Sequence, residues 1–563
     1  MKVSPIDYAV ISQALHAVAN EMGAKLIRSA YSTILREARD GASALLDRFG
    51  NVVSQADLIP IQLGPIGMTI QPCLARYPAE TLEEGDFLVS NDPYNGGQHL
   101  PDVFIFTPIF FEEKVIGFGA SVAHHLDLGG GSPGLDTDAT DIFQEGIRIP
   151  PSKYNMARDW NGGNFERLIE ANVRVPDLTI GDFNAQFAAN AVGAARVQQL
   201  CTKYGADAVC EVMQEFIAYS ERRMRAAIQK VPNGVYYGED AIDDDGVTDT
   251  PLPIKVRVEV KDEDIYVDFT GTCQQVMRNV NVPLSSTYAA TLSCIKSVIT
   301  SAGIPFNEGV KRPIHITVPP ACLLHPVSPA PVRARLEGGY RAFGAIMKAL
   351  SQAVPEQVIA PGFDTTTVIC FSYHGEKGFQ VNLEVFGGGY GASAIGDGCD
   401  AVDSPLSNCS NTPVEVMDIQ CDYVRIVGYK LEPNSFGHGR FRGGAGFSRH
   451  YEVLRDGTKL AIYADRFRLQ PGGIFGGTPA LSGFCGIHRD GKLIKIGSKS
   501  SFDLRKGDVV EVFLGGGGGY GLPSQRDKGL VERDVAEELL SPDAAKKIYG
   551  LKTQPREKVV ERV

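Results

Sequence analysis

The chain has 563 residues, 43% of them apolar and 22% charged, with 62 glycines and 33 prolines. These are the values of a turn-rich globular protein, longer than one hydrophobic core organises. A formal charge of -12 excludes the basic surface that nonspecific nucleic-acid binding needs. No run of 18 apolar residues and no basic leader with a cleavage site occurs, so no membrane association is expected. The 11 cysteines, an odd number without a CxxC pair, fit reduced thiols in the cytoplasm.

In chain order, Asp7–Ser29 places Ile11, Leu15, Val18, Met22 and Leu26 on one face at three-to-four-residue spacing and predicts a helix. The segment SALLDRFGNVVSQAD predicts two strands about a turn at Asp47–Asn51, with Asp40 where the helical part gives way to strand. Residues 91–131 follow, NDPYNGGQHLPDVFIFTPIFFEEKVIGFGASVAHHLDLGGG, with three of the ten histidines at the two ends of a predicted β-hairpin. Residues 103–111 and 115–123 are β-branched, aromatic and small, and they flank the polar tip Glu112, Glu113 and Lys114. A tip centred on Glu113 makes Asp102 face His124, close enough for a carboxylate and an imidazole to share an ion. A two-residue tip would instead pair Asp102 with Ala123. His99 lies one short turn upstream.

Further along, residues 185–229 predict a helical run closed by Pro232, Asn233 and Gly234. Strands resume from Val235 to about Ser448, with a helix at Ala342–Ala353. Glycine-punctuated strands and a short helix at Ser541–Gly550 complete the chain. The expected fold is α+β, with mixed, mostly antiparallel sheets, an N-terminal helix and a helical segment near 185–230. Three regions are expected: a metal-bearing part at 1–235, a central α+β part at 236–450 and a glycine-rich β part at 451–563.

His99, Asp102 and His124 form a borderline-hard ligand set suited to Zn, Mn or Fe. The competing account is that His99 and Asp102 cap a turn and that His124 and His125 are ordinary residues at a strand end. Asp40, Glu37 and Asp127 each offer a carboxylate as fourth ligand, and either of the last two could instead orient a ligating imidazole through its other nitrogen. A metal with an open position acidifies bound water and turns it into a nucleophile for a carbonyl carbon. Glu145 and Arg148, in FQEGIRIPPSKYN, either line a pocket or stitch strands together. Arg440 and Arg442, between glycines, could grip an anion, or else are solvated turn residues. Residues 515–521 contain a formal GxGxxG, but Pro523 stands where a nucleotide-binding helix would begin, so Gly515–Gly519 reads as a structural loop.

Taken together, EMGAKLIRSAYS, SQADLIPIQLG, NDPYNGGQHLPD, AHHLDLGGGSPG, QEGIRIPP, DFTGT, NTPVEV, GRFRGGAGFSR, LGGGGGYGLP and VERDVAEELLSPDAAKKIYG resemble the hydantoinase B/oxoprolinase family over nearly the whole length. The resemblance implies metal ligation and catalysis by Asp40, His99, Asp102 and His124. His125, Asp127, Glu37, Asp57 and Glu145 are left as supporting or pocket residues. It further implies a hetero-oligomer with a hydantoinase A-type subunit that holds ATP in an actin-like kinase fold and phosphorylates the oxygen of a cyclic amide. Metal-bound hydroxide on this chain would then open the hydantoin, lactam or 5-oxoproline ring through a tetrahedral species.

The chain departs from the family pattern at Glu37–Ala42, where many relatives read ERxD followed by an aromatic residue and serine. It departs again at Gln55, Leu58 and Gln62, where histidines are common, while Asp57 is kept. Two other functions suit the same resemblance: a subunit of an ATP-dependent ketone carboxylase of the acetone or acetophenone type, and a noncatalytic assembly subunit.

Overall fold

The hairpin that carries the histidines is built from β4 (Asp102–Phe111) and β5 (Lys114–His124). In the computed structural model, which describes residues 3–551 apart from 302 and 404, they turn over Glu112 and Glu113, with φ of 47° and 63°. Positive φ at both central residues gives a turn whose twist matches that of the strands. Phe111 pairs with Lys114 and Phe110 with Val115, but Ile109 pairs with Gly117, which leaves Ile116 as a bulge. The tip therefore has two residues, and the bulge restores the register in which Asp102 faces His124.

This hairpin is the middle of a six-stranded antiparallel sheet with β1 (Gly41–Asp47), β2 (Val52–Gln55), β3 (Asp86–Ser90) and β6 (Ser152–Asn155), in the order β2-β1-β5-β4-β3-β6. Successive side chains of a strand point to opposite faces. Phe104, Phe106, Phe118, Ala120 and Val122 pack with Ile66 and Ile70 of helix Pro60–Arg76. Val103 and Ile105 pack instead with Phe183 of helix Pro176–Tyr204. Helix Pro5–Ser29 sets Ile11, Leu15 and Met22 against Leu45 and Val53 on that second side.

The helical run expected at 185–229 is two helices, Pro176–Tyr204 and Ala206–Ile228, because Gly205 breaks it at φ 85°. A four-stranded sheet follows in the order Ile314–Thr317, Asp264–Asp268, Leu252–Lys261, Gly234–Ile242, its first pair parallel. Beyond it lie two further antiparallel sheets, of four and five strands. Strand Thr367–Gly375 pairs with Lys459–Tyr463, so sheet pairing joins residues on both sides of 450. Helix Arg335–Leu350 begins seven residues before the expected start at Ala342, which brings Arg335 and Glu337 into the functional region described below.

Gly515–Gly519 forms extended backbone stacked between other glycine loops. Gly517 donates to the Gly444 carbonyl at 2.9 Å, Gly437 donates to the Gly517 carbonyl at 2.8 Å, and Gly518 donates to the Pro361 carbonyl at 2.8 Å. The run is backbone packed on backbone. Arg442 is buried and serves this region: it donates to Asp400 and Asp534, at 2.9 and 3.0 Å. Arg526 joins Asp534 to Asp397, so the segment containing helix Lys528–Ala536 is tied to the loops. All eleven cysteines are free thiols. Among the described residues no helix is long and apolar enough to cross a membrane.

Candidate active site

Strand pairing assembles three of the four expected site residues. Asp102 faces His124 across β4 and β5, and the His124 amide donates to the Asp40 carbonyl at 3.0 Å, one step beyond the Gly41–Ala123 pair of β1 and β5. Asp40, His124 and Asp102 thus lie in a row at the ends of three adjacent strands, on the face covered by helix Pro60–Arg76. Arg39, at φ 62°, turns the chain into β1. His99 completes the group from the preceding turn, closed by the Asp102 amide on the His99 carbonyl at 3.0 Å. Its ring centroid stands 5.0 Å from that of His124. The alternation that brings His124 in turns His125 out, where it bonds Gln186 at 3.0 Å and its ring lies tilted against Phe183, 4.3 Å between centroids.

Residues far along the chain roof this row. The N-terminus of helix Arg335–Leu350 presents Arg335, whose Nη2 donates to Asp102 Oδ2 at 2.6 Å and whose Nη1 lies 2.9 Å from His99 Nδ1. Gln62 bridges the two carboxylates from below: its Nε2 donates to Asp40 Oδ1 at 2.6 Å and lies 3.4 Å from Asp102 Oδ1. Among the three histidine positions at which this chain departs from the family pattern, Gln62 therefore reaches the site. Asp40, His99, His124, Arg333, Arg335 and Glu337 share one cavity, closed on its far side by Val368, Leu383, Val385 and Tyr463. Its free space is about 30 Å³, on the order of one or two waters.

The remaining expected residues hold the frame. Glu145 accepts from the Val332 amide at 3.0 Å and the Arg333 amide at 2.8 Å, which fixes the segment entering the helix. Burial pushes its carboxyl up to about 7. Asp127 accepts from the Arg174 amide and guanidinium at 2.7 and 2.9 Å and does not line the cavity. Glu37 pairs with Arg36 at 2.8 Å. Asp57 is exposed and faces His16 at 3.8 Å in a separate recess. Arg148 lies over the rings of Tyr94 and Phe143. Sequence reading missed Gln62, Arg333, Arg335 and Glu337 as members of the site. Only Gln62, through its departure from the family pattern, carried a signal.

The electrostatics separate the two carboxyls. Burial and the neighbouring Asp102 raise the Asp40 carboxyl well above its ordinary value. Burial alone would raise Asp102 too, but the Arg335 guanidinium and the His99 ring reverse this and hold it below the usual carboxylate range. Burial, with Arg335 beside it, lowers His99 to about 4, and burial, with His99 beside it, lowers His124 as well. Both rings are neutral at pH 7, which leaves each a nitrogen lone pair.

These donors suit a divalent cation. Among the described residues, His99 Nε2 and His124 Nδ1 are buried without hydrogen-bond partners, and the carboxylates of buried Asp102 and half-buried Asp40 lie within reach of one amide nitrogen. His99 Nδ1 is 2.9 Å from both the Arg333 carbonyl and Arg335 Nη1; a guanidinium only donates, so Nδ1 accepts while Arg335 is in place, and Nε2 becomes a ligand in the tautomer that donates to the carbonyl once Arg335 moves aside. His99 Nε2 is 3.2 Å from Asp102 Oδ1 but off-axis for a hydrogen bond. As the side chains stand, Arg335 supplies the counter-charge to Asp102, and among the described residues no group of three is arranged to hold an ion.

Comparison with known proteins places the chain. The family model described as Hydantoinase B/oxoprolinase matches residues 4–523. The chain belongs to this family. The B-type component of a provisionally assigned D-/L-hydantoinase from Pseudomonas sp. (strain NS671) is 34% identical, with 99% of this chain and 97% of that protein covered. The ATP-dependent caprolactamase crystal structure from Pseudomonas jessenii superposes with a TM-score of 0.90 at 26% identity, covering 100% of this chain and 98% of that one. An acetone carboxylase, in its nucleotide-free structure, has a TM-score of 0.87 at 18% identity over 97% of this chain and 79% of that one, a likeness of fold. Across this hydantoinase B/oxoprolinase chain, the matched span includes all four residues of the row and its turn.

Proposed function

We propose that this chain is the ring-opening subunit of an ATP-dependent cyclic-amide hydrolase acting on a hydantoin, lactam or 5-oxoproline ring, with ATP used by a hydantoinase A-type partner. The observation that carries the reading is the row Asp40, His124 and Asp102 with His99 beside it, buried in a cavity under two arginines. Family membership supports the substrate class. The naming of the Pseudomonas relative as one component of its enzyme and the lack of a nucleotide-binding motif in this sequence support a separate ATP-holding chain.

Asp40, His99, Asp102 and His124 would hold a divalent metal, Zn, Mn or Fe, which supplies Lewis acidity and lowers the pKa of water. The protein's own groups do the rest. Arg333 and Arg335 line the cavity; released from their present partners, the Glu145 and Gly134 carbonyls and Asp102, their guanidiniums would suit a phosphate or a developing oxyanion. Val368, Leu383 and Val385 exclude bulk water, which strengthens every charge interaction inside. The free space is smaller than a substrate ring, so binding has to open the roof.

The test is reconstitution with the A-type partner and a panel of cyclic amides plus ATP. Ring opening coupled to ATP hydrolysis is expected. Bicarbonate-dependent ATP hydrolysis with a ketone, and no turnover of any ring, would replace this reading with a carboxylase.

A further inference from the structure

Glu337, the third residue of helix Arg335–Leu350, lines the cavity shared with Asp40, His99 and His124. It is 1% exposed, and neither of its carboxyl oxygens has a hydrogen-bond partner among the described residues. A carboxyl buried without partners costs folding free energy that an apolar side chain of the same size would not. Behind it stand Lys499, Asp465 and Arg341, whose charges act on it. Lys499 and Asp465 are paired with each other at 3.4 Å, and neither bonds Glu337.

The other titratable groups facing the cavity are already engaged or proton-poor. Asp40 is bonded by Gln62 and Asp102 by Arg335. The Tyr463 phenol is spent on the Asp136 carbonyl and Asn279. Arg333 is permanently charged, and His99 and His124 hold neutral rings. Burial pushes the Glu337 carboxyl up to about 7, where a group can both give and take a proton near neutrality.

We propose that Glu337 is the proton-transfer residue of this site, an assignment that rests on the cyclic-amide reading above. The water oxygen bonds to the carbon of the phosphorylated imidate, whose nitrogen carries no hydrogen. The two water protons pass in turn to that nitrogen, each taken up and released by Glu337. The C–N bond breaks with its electron pair leaving on nitrogen as the amine. The carbon is left as an acyl phosphate, which a second water converts to carboxylate and phosphate. Glu337 ends each turnover as it began.

The experiment compares wild type and Glu337→Gln in the reconstituted complex, reading kcat and KM across pH, metal content and melting temperature. Expected for a simple lactam is a fall in kcat of about 100- to 10,000-fold, with KM changed by less than about threefold. One ionisation should vanish from the kcat profile, metal content should be retained, and the melting temperature should be no lower than that of wild type. An imide-type ring, whose leaving nitrogen is stabilised by a second carbonyl, should lose far less. Unchanged kcat and pH profile, or equal loss on both rings, overturns the assignment. Should Glu337→Gln fail to assemble, Glu337→Asp decides: reduced kcat with the ionisation kept supports it, and wild-type kcat overturns it. A wild-type complex inert to every cyclic amide overturns the parent reading as well; an active wild type with an unaltered variant overturns this assignment alone.

Discussion

Asp102 is the most constrained charge of the site. It is fully buried, receives the Arg335 guanidinium at 2.6 Å and has the His99 ring at 3.2 Å. Removing one partner of a buried ion pair leaves an uncompensated charge, at about 3 to 5 kcal/mol. Arg335→Met should therefore destabilise the metal-free protein by about that amount in urea unfolding with chelator present. Added divalent metal should narrow the gap, because the ion takes over the counter-charge. Glu145 gives a pH signature. Its carboxyl titrates at about 7 when folded, against 4.5 ordinarily. Its contribution to stability is thus fully present below about 4.5 and is lost as pH rises through about 7. Relative to Glu145→Gln, wild type should lose on the order of 3 kcal/mol between those limits, read from urea midpoints of both proteins at pH 4.5 and pH 8.

Among the elements, the hairpin and the glycine loops show two ways in which backbone geometry builds the molecule. In the hairpin, one bulged residue decides which side chain faces Asp102. In the loops, close approach of backbones excludes side chains: a Cβ at Gly443 would drive into the Gly517 carbonyl, whereas one at Gly472 would meet nothing within 4 Å. Gly443→Ala should yield little soluble protein or a melting temperature lowered by many degrees, while Gly472→Ala should fold normally; thermal melts of the two decide. The hairpin was legible because its alternation and polar tip are local signals. Helix Pro60–Arg76 was not, since Pro65 and Pro72 lie inside it. The early start of helix Arg335–Leu350 was hidden by Gly338 and Gly339, which lower helix propensity. Asp40 could be chosen over Glu37 and Asp127 only through the family resemblance, yet β1–β5 pairing gives the physical reason for its position. Arg335 meets Asp102 across 233 residues, a contact that no local pattern encodes.

At the scale of the molecule, the site is joined by the N-terminal sheet, the helix at 335–350 and the sheet that carries Val368, Leu383 and Tyr463. A cavity roofed by sequence-distant elements can be widened by their relative movement, as the small free volume over the row of Asp40, His124 and Asp102 requires of any ring substrate. The buried Arg442, Asp534 and Arg526 network fastens the C-terminal helices to the glycine loops, away from that cavity. In the function proposed above, Asp40, His99, Asp102 and His124 form a metal centre that opens a ring. Elemental analysis of the purified complex, alongside its ring-opening rate, tests this most directly. Wild type should carry stoichiometric Zn, Mn or Fe and lose activity on chelation, and His124→Ala should lose the metal and at least about 100-fold in rate. Wild-type protein without stoichiometric metal, still active in the presence of chelator, would contradict the claim.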